Sequence, residues 1–199
     1  MKTETAANRA PARHWDVLLM GGAAGTGKTS ISYRIAQHFG VGITEVDDFQ
    51  VILEALTTPD QQPILHFWRT HPEAAEFPPE KIVDLTILVA RVMAPALEAV
   101  IANHLESRTP VVLEGDYLLP SLVTVDPRVR AIFLYEDDAG QIARNFLRRE
   151  PEAGEQSKRA GVSWLYGNWL KSEAKKFGAA VVPARPWDTL FERVLQAIR

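Results

Sequence analysis

The sequence of 199 residues contains no cysteine. That absence excludes disulfide bonds, thiolate metal sites and cysteine-based catalysis together. It is compatible with a cytoplasmic protein, and we expect that location. The five histidines are not spaced like zinc ligands, so we predict no structural metal.

An excess of positive charge and long apolar runs are also missing. There are 22 Lys and Arg against 25 Asp and Glu, a formal net charge of −3, which argues against a large basic surface for duplex nucleic acid. No run approaches the roughly eighteen apolar residues that a membrane span needs, so we expect none. Residues 1–14 are polar and lack the apolar core of a signal peptide. We expect them to be a disordered tail in front of one domain, 15–199.

Apolar runs and helical patterns alternate along the rest of the chain. We predict strands at 15–20, 42–47, 109–116, 129–136 and 179–184, and helices at 28–39, 49–56, 80–106, 139–149, 162–177 and 187–198. Pro95 lies inside the longest helix and should kink it near Arg91. Residues 57–79, rich in proline and aromatics, read as an irregular insert. Strands separated by helices predict a parallel sheet with right-handed crossovers.

A loop of small residues follows the first strand. From Gly22 to Thr29 the sequence reads G-A-A-G-T-G-K-T, a full match to G-x-x-x-x-G-K-[ST] between a strand and a helix. Small residues let backbone N–H groups curl around an oxyanion, and the following helix directs its positive end there. A glycine-rich turn without a ligand is the disfavoured alternative. The expected nucleotide-binding residues are Gly22, Ala23, Ala24, Gly25, Thr26, Gly27, Lys28, Thr29 and Ser30.

Within this loop, Lys28 is expected to contact the β- and γ-phosphates of ATP, and the Thr29 hydroxyl to bind Mg²⁺. A phosphate-binding loop alone does not separate kinases, GTPases and motor ATPases. Acidic residues follow the next two predicted strands: Asp47 and Asp48 the second, Glu114 and Asp116 the third. The carboxyl ends of parallel strands form one edge, where ligands bind in open sheets. We therefore expect these acids to face the loop.

Two short segments resemble known kinases. Asp47-Asp48-Phe49 resembles the D-x-F segment of uridine-kinase-like and pantothenate-kinase-like enzymes, and "VVLEG" at 111–115 resembles their V-x-x-E-G strand. With the following "DYLLP", that strand also resembles the 2-phosphoglycerate-kinase-like branch of P-loop kinases. We therefore expect a three-layer α/β P-loop NTPase sandwich, with a five-stranded parallel sheet in the order 2-3-1-4-5, helices on both faces and a lid.

The resemblance implies roles for the acids. Asp47 would accept or orient the proton of an incoming hydroxyl and is also a candidate metal ligand. Glu114 would hold Mg²⁺ together with Thr29, directly or through water. Asp48 is either a helix N-cap or a substrate contact. Asp116 is either a turn residue or a substrate contact. Both alternatives stay open.

The resemblance also implies a lid and an adenine pocket. Residues 149–162 form the predicted lid, and Arg148 or Arg144 would neutralise the transferring phosphate. The alternative is that these arginines only complement the helix dipole. Ala184 and Arg185, after the fifth strand, would line the adenine pocket or belong to a proline-stiffened link.

The insert at 57–79 and the long helix behind it occupy the expected acceptor side. A phosphorylated or carboxylated acceptor would bind Arg69, with Arg91 as a second candidate. We expect Phe67 and Trp68 to pack as a small core.

These patterns favour an ATP- and Mg²⁺-dependent kinase acting on the alcohol group of a small molecule. A GTPase is disfavoured, because the D-x-x-G at 137–140 comes one strand too late and the guanine motif N/T-K-x-D is absent. Two alternatives stay open: a regulatory ATPase of the AAA type, although the chain is short for its helical lid domain, and a polynucleotide 5′-hydroxyl kinase, which needs only a small basic groove. The net charge makes nucleic acid a disfavoured partner, and the oligomeric state stays open, a dimer included.

Overall fold

The computed structural model of the chain describes residues 11–198, so most of the predicted tail at 1–14 lies outside the described residues. Five parallel strands form one sheet in the order β2-β3-β1-β4-β5, which confirms the predicted order. The strands are β1 Val17–Gly22, β2 Gly42–Glu45, β3 Val111–Gly115, β4 Val129–Tyr135 and β5 Ala180–Pro183.

Helices connect these strands. They are α1 Lys28–Phe39, α2 Val46–Leu56, α3 Phe67–Thr70, α4 Pro79–Ser107, α5 Ala139–Arg149, α6 Ser157–Lys176 and α7 Leu190–Ile198. Short 3-10 turns lie at Pro72–Glu76, Pro120–Thr124, Pro151–Ala153 and Trp187–Thr189.

Alternate side chains of β1 face the two opposite helical layers. Val17 and Leu19 pack into the core that also contains the buried residues of α4 and α6. Leu18 and Met20 pack into the core formed with α1 and α7. All four are fully buried, as expected for a parallel sheet that is covered on both faces. The result is the predicted three-layer sandwich.

Helix α4 lies across one face of the sheet. Eight of its residues, from Val83 to Leu105, are buried, and they pack in the core beneath α6. The helix runs without interruption through Pro95. Among the described helices, α4 is long and apolar enough to cross a membrane by length and composition alone. A core helix of a folded domain satisfies the same criteria. Helix α4 is such a helix, because its buried residues pack in the core.

The junction between β2 and α2 differs from the sequence prediction. Strand β2 ends at Glu45, so Asp47 and Asp48 lie in the first turn of α2 rather than at the end of a strand. Acidic side chains are favourable at that position, because the N-terminal end of a helix is electropositive.

The lid region is also more helical than expected. Helix α6 begins at Ser157, and a 3-10 turn occupies 151–153, so the connection after α5 is short. Lysine, arginine and alanine at 158–160 are good helix formers and extend the helix toward its start. The insert at 57–79 contains α3 and the turn at 72–76.

Candidate active site

The loop between β1 and α1 depends on its glycines. Gly22, Gly25 and Gly27 have φ angles of 146°, 78° and 81°, a region that residues with a Cβ atom rarely adopt. The Thr26 hydroxyl donates a hydrogen bond to the Ala23 carbonyl at 2.8 Å and closes the loop on itself. A loop of this shape, at the start of a helix, is a concave site for an anion.

Two polar side chains, one on α5 and one on α6, hold this loop from either side of the predicted lid. Asn145 of α5 donates to the Gly25 carbonyl at 2.8 Å, and Ser163 of α6 donates to the Ala24 carbonyl at 2.5 Å. A Cβ atom on Gly25 would lie 3.0 Å from Ile142 and 3.1 Å from Phe146. The loop and the lid helices are therefore packed directly against each other.

Lys28 ends the loop and meets two carboxylates. Its ammonium lies 3.7 Å from the Glu114 carboxylate and forms an ion pair with Asp116. Lys28 is 7 % exposed and Glu114 only 4 %. Burial lowers the pKa of Lys28, but the charges of Asp116 and Glu114 outweigh it, and the net effect is a raised pKa. Lys28 therefore carries its positive charge at neutral pH.

Two neighbouring acids have raised pKa values, Glu114 in a buried position and Asp47 in the first turn of α2, where the residue keeps an exposed surface. Burial and the charge of Asp116 raise the pKa of Asp47, although Lys28 opposes the shift. The pKa of Glu114 is raised by burial and by Asp116, against the effect of Lys28 and of a hydrogen bond from Thr29. The two carboxylates thus compete for a single nearby cation, and their ionised forms would gain from a bound divalent cation.

The donor set suits an ion that a nucleotide completes. Within residues 11–198, no three histidine or carboxylate side chains form a ready-made metal site. Mg²⁺ typically takes one or two protein ligands, with phosphate oxygens and waters filling its octahedron. Thr29 follows Lys28 in the first turn of α1, and the Lys28 ammonium lies 3.7 Å from the Glu114 carboxylate. Glu114 and Thr29 fit Mg²⁺ in that role.

A cavity of about 660 Å³ opens beside the loop, within the size range of small-ligand sites. Residues 28–30 line it, together with Arg148 and Arg149 at the end of α5. Arg34 of α1 and Trp187 also line it. Its basic side chains are suited to an extended anion. Of these residues, sequence reasoning did not name Arg34 or Trp187 as site residues, whereas Arg149 is the first residue of the predicted lid.

The two lid arginines differ in placement. Arg148 lines the cavity. Arg144, one helical turn earlier, is 61 % exposed and binds the Asp138 carboxylate at 3.0 Å. Asp138 is also the N-cap of α5, accepting a hydrogen bond from the Gly140 amide. The sequence spacing puts both arginines near one helical face, but only the structure reveals the carboxylate that holds Arg144.

The segment after β5 contributes one residue to the cavity wall. Ala184 is buried, and Arg185 forms two hydrogen bonds of 2.6 and 2.7 Å with the buried Glu136. Neither residue is part of the cavity wall, whereas Trp187 is. The sequence feature that could have indicated this cavity residue is the pair Pro186-Trp187 after β5.

The predicted acceptor side contains a paired arginine. Arg69 is 70 % exposed and lies 3.3 Å from the Glu54 carboxylate, and Arg91 is exposed on α4. Phe67 stacks on His71 with ring centroids 4.4 Å apart and meets Trp68 edge-on, the small aromatic cluster that was expected. Neither Arg69 nor Arg91 takes part in the described ion pairs of Lys28 with Glu114 and Asp116.

Comparison with known proteins agrees with this architecture. No family model and no curated protein matches the sequence. A gluconokinase from Sinorhizobium meliloti 1021 matches in structure with a TM-score of 0.57 and 20 % identity, over 94 % of this chain and 93 % of that chain. Shikimate kinase from Acinetobacter baumannii, in complex with shikimate, matches with a TM-score of 0.53 and 15 % identity, over 92 % of this chain and 93 % of that chain. The chain has the fold of the small-molecule P-loop kinases.

Proposed function

We propose that this chain is an ATP- and Mg²⁺-dependent kinase that transfers the γ-phosphate to an alcohol group of a small molecule. One observation carries the proposal: the phosphate-binding loop places Lys28 in a partly buried cluster with Asp47, Glu114 and Asp116. The fold shared with a gluconokinase and a shikimate kinase supports the same class of reaction.

In this proposal the phosphates of ATP bind along the loop and contact Lys28. Thr29 and Glu114 would hold Mg²⁺, which neutralises phosphate charge when bound. Arg148 and Arg149 both line the cavity, and Arg149 pairs with Glu150, so we assign the transferring group to Arg148. Arg144 would have to leave Asp138 to join it. Catalysis would rest on positioning and charge neutralisation, because phosphoryl transfer needs little covalent chemistry from the protein.

The acceptor would approach from the side of α2. Asp47 in the first turn of that helix would orient the attacking hydroxyl and take its proton. Asp48, Arg69 and Arg91 stay candidates for acceptor binding. We infer a cytoplasmic enzyme, since ATP is available there. A sugar, a phosphoglycerate, a nucleoside and an antibiotic are all candidate acceptors for this chemistry.

The test is acceptor-stimulated ADP release from Mg-ATP across a metabolite panel. We expect at least one hydroxyl compound to stimulate release. Lys28→Ala should abolish turnover, whereas Lys176→Ala, an exposed lysine far along α6, should retain it. Calorimetry without detectable uptake of any purine triphosphate in the presence of Mg²⁺ would refute the proposal.

A further inference from the structure

The cation that the proposed function assigns to phosphate is already engaged in this structure. The Lys28 ammonium forms an ion pair with the Asp116 carboxylate. The Lys28 side chain is 8 % exposed and that of Asp116 27 %. Asp116 directly follows the carboxyl end of β3, and Glu114 is the next-to-last residue of that strand. The contact joins the phosphate-binding loop to the neighbouring strand.

A buried hydrogen bond from the lid side holds the main chain of Asp116. The Tyr166 hydroxyl of α6 donates to the Asp116 carbonyl at 2.8 Å, and Tyr166 is only 3 % exposed. The Tyr166 ring also stacks on Trp169 at a centroid distance of 5.8 Å. One turn earlier on the same helix, Ser163 holds the loop itself. Helix α6 therefore contacts both the loop that precedes Lys28 and the main chain of Asp116.

Burial makes this pair necessary when no phosphate is bound. A buried ammonium without a partner is strongly destabilising, and the Glu114 carboxylate is farther away, at 3.7 Å. A triphosphate brings more negative charge to the same ammonium than one carboxylate does. The ammonium has three donor hydrogens, and Asp116 and Glu114 already face it, so the phosphates of a nucleotide would compete with Asp116 for them.

We propose that Asp116 is a positioning residue that holds Lys28 in the nucleotide-free protein and that the phosphates of the nucleotide must displace it. This inference rests on the proposed function. Displacement has a cost, so the ion pair lowers the affinity for nucleotide. Displacement also frees the Asp116 carboxylate, next to Asp47 and Glu114, once the nucleotide has bound.

The test compares ATP binding to three proteins by calorimetry in the presence of EDTA. Without Mg²⁺, a role of Asp116 toward the metal does not contribute. We expect Asp116→Asn to bind ATP about tenfold more tightly than the unaltered chain, about 1.4 kcal/mol. Glu45→Gln is the matched control. Glu45 lies beside Glu114 in the sheet register, but its carboxylate accepts a hydrogen bond from Tyr33, and its removal should change affinity less than about twofold.

Tyr166→Phe gives a second, independent measurement that leaves the aromatic core in place. We expect tighter ATP binding by a smaller factor, because the main chain of Asp116 loses its hydrogen bond. In the Asp116→Asn background the same change should have no effect, since both act through one ion pair. Equal or weaker ATP binding by Asp116→Asn, or equal effects of Tyr166→Phe in both backgrounds, would overturn the inference. Failure of the unaltered chain to bind ATP would instead refute the proposed function.

Discussion

At the scale of single residues, the site combines one cation with more carboxylates than it can neutralise. Lys28 is surrounded by Asp116, Glu114 and Asp47, and burial raises the pKa of two of these acids. Such an arrangement lowers the stability of the fold, because burial disfavours the ionised form of the carboxylates and one ammonium offsets only part of that cost. Two predictions follow from Asp47.

The first concerns activity. Asp47→Asn removes the group proposed to take the proton of the acceptor, so phosphate transfer should fall by about 10²-fold or more. Affinity for Mg-ATP should stay close to that of the unaltered chain. Steady-state kinetics and calorimetry measure the two effects separately. Asp60→Asn, which changes an exposed carboxylate of the insert, is the control, and normal transfer in Asp47→Asn would show that another group handles the hydroxyl.

The second concerns pH and stability. The folded pKa of Asp47 is raised above its ordinary value, mainly by burial, so ionisation of Asp47 destabilises the fold. Its contribution to stability is greatest below the unfolded pKa and is lost as pH rises through the folded pKa. Asp47→Asn should therefore be more stable than the unaltered chain at pH 7, and the difference should narrow toward pH about 4.

Urea denaturation at the two pH values measures this difference. Asp60→Asn should show little change at either pH, since Asp60 lies in the insert and is not among the charges that act on Lys28 or Asp47. A gain in stability from Asp47→Asn that is equal at both pH values would contradict the assignment of burial as the cause.

At the scale of elements, the main feature is the packing of α5 and α6 onto the phosphate-binding loop. Asn145 and Ser163 reach the carbonyls of two adjacent loop residues, and Phe146 and Ile142 fill the space next to Gly25. The loop shape thus depends on helices more than 100 residues away in the chain, as the separations of 120 and 139 residues show. Movement of the lid helices would be transmitted directly to the loop.

Removal of these two hydrogen bonds should weaken nucleotide binding. Each bond is worth about 1 kcal/mol, so Asn145→Ala should weaken ATP binding by about fivefold, and Asn145→Ala with Ser163→Ala by more. Calorimetry gives the affinities, and circular dichroism checks that the helices are retained. Thr109→Ala serves as a control, because Thr109 is exposed, precedes β3 and is not part of the cavity wall. An unchanged affinity in the double variant would show that the loop keeps its shape without this support.

At the scale of the whole molecule, two cores on opposite faces of the sheet hold the site in place. One lies beneath α4 and α6 and the other beneath α1 and α7. Lys158 links the lid to the insert through a 2.6 Å hydrogen bond to the Ala75 carbonyl. Because the loop, the lid and the insert connect to one sheet, a ligand bound at the loop should stabilise the entire fold.

A thermal unfolding experiment tests this coupling. At a concentration one hundred times its Kd, a ligand of the folded state contributes about 2.7 kcal/mol, which should raise Tm by roughly 5–10 °C for a chain of this size. Mg-ATP should produce this shift with the unaltered chain and none with Lys28→Ala. A shift of the same size in Lys28→Ala would place the nucleotide elsewhere.

The sequence alone determined the sheet order, the three-layer architecture and the place of the phosphate-binding loop. The alternation of apolar runs with helices and the spacing of the glycines are local patterns, whereas the sheet order was expected from the resemblance to P-loop kinases. The start of α2 and of α6 was missed because helix ends depend on small local preferences.

Only the tertiary structure decided which charges meet. Asp116 binds Lys28, Arg144 binds Asp138, and Trp187 rather than Arg185 lines the cavity. Except for Arg144 and Asp138, these contacts join residues far apart in the chain. Which charged groups pair depends on the way in which helices and strands pack, and no local spacing encodes that packing.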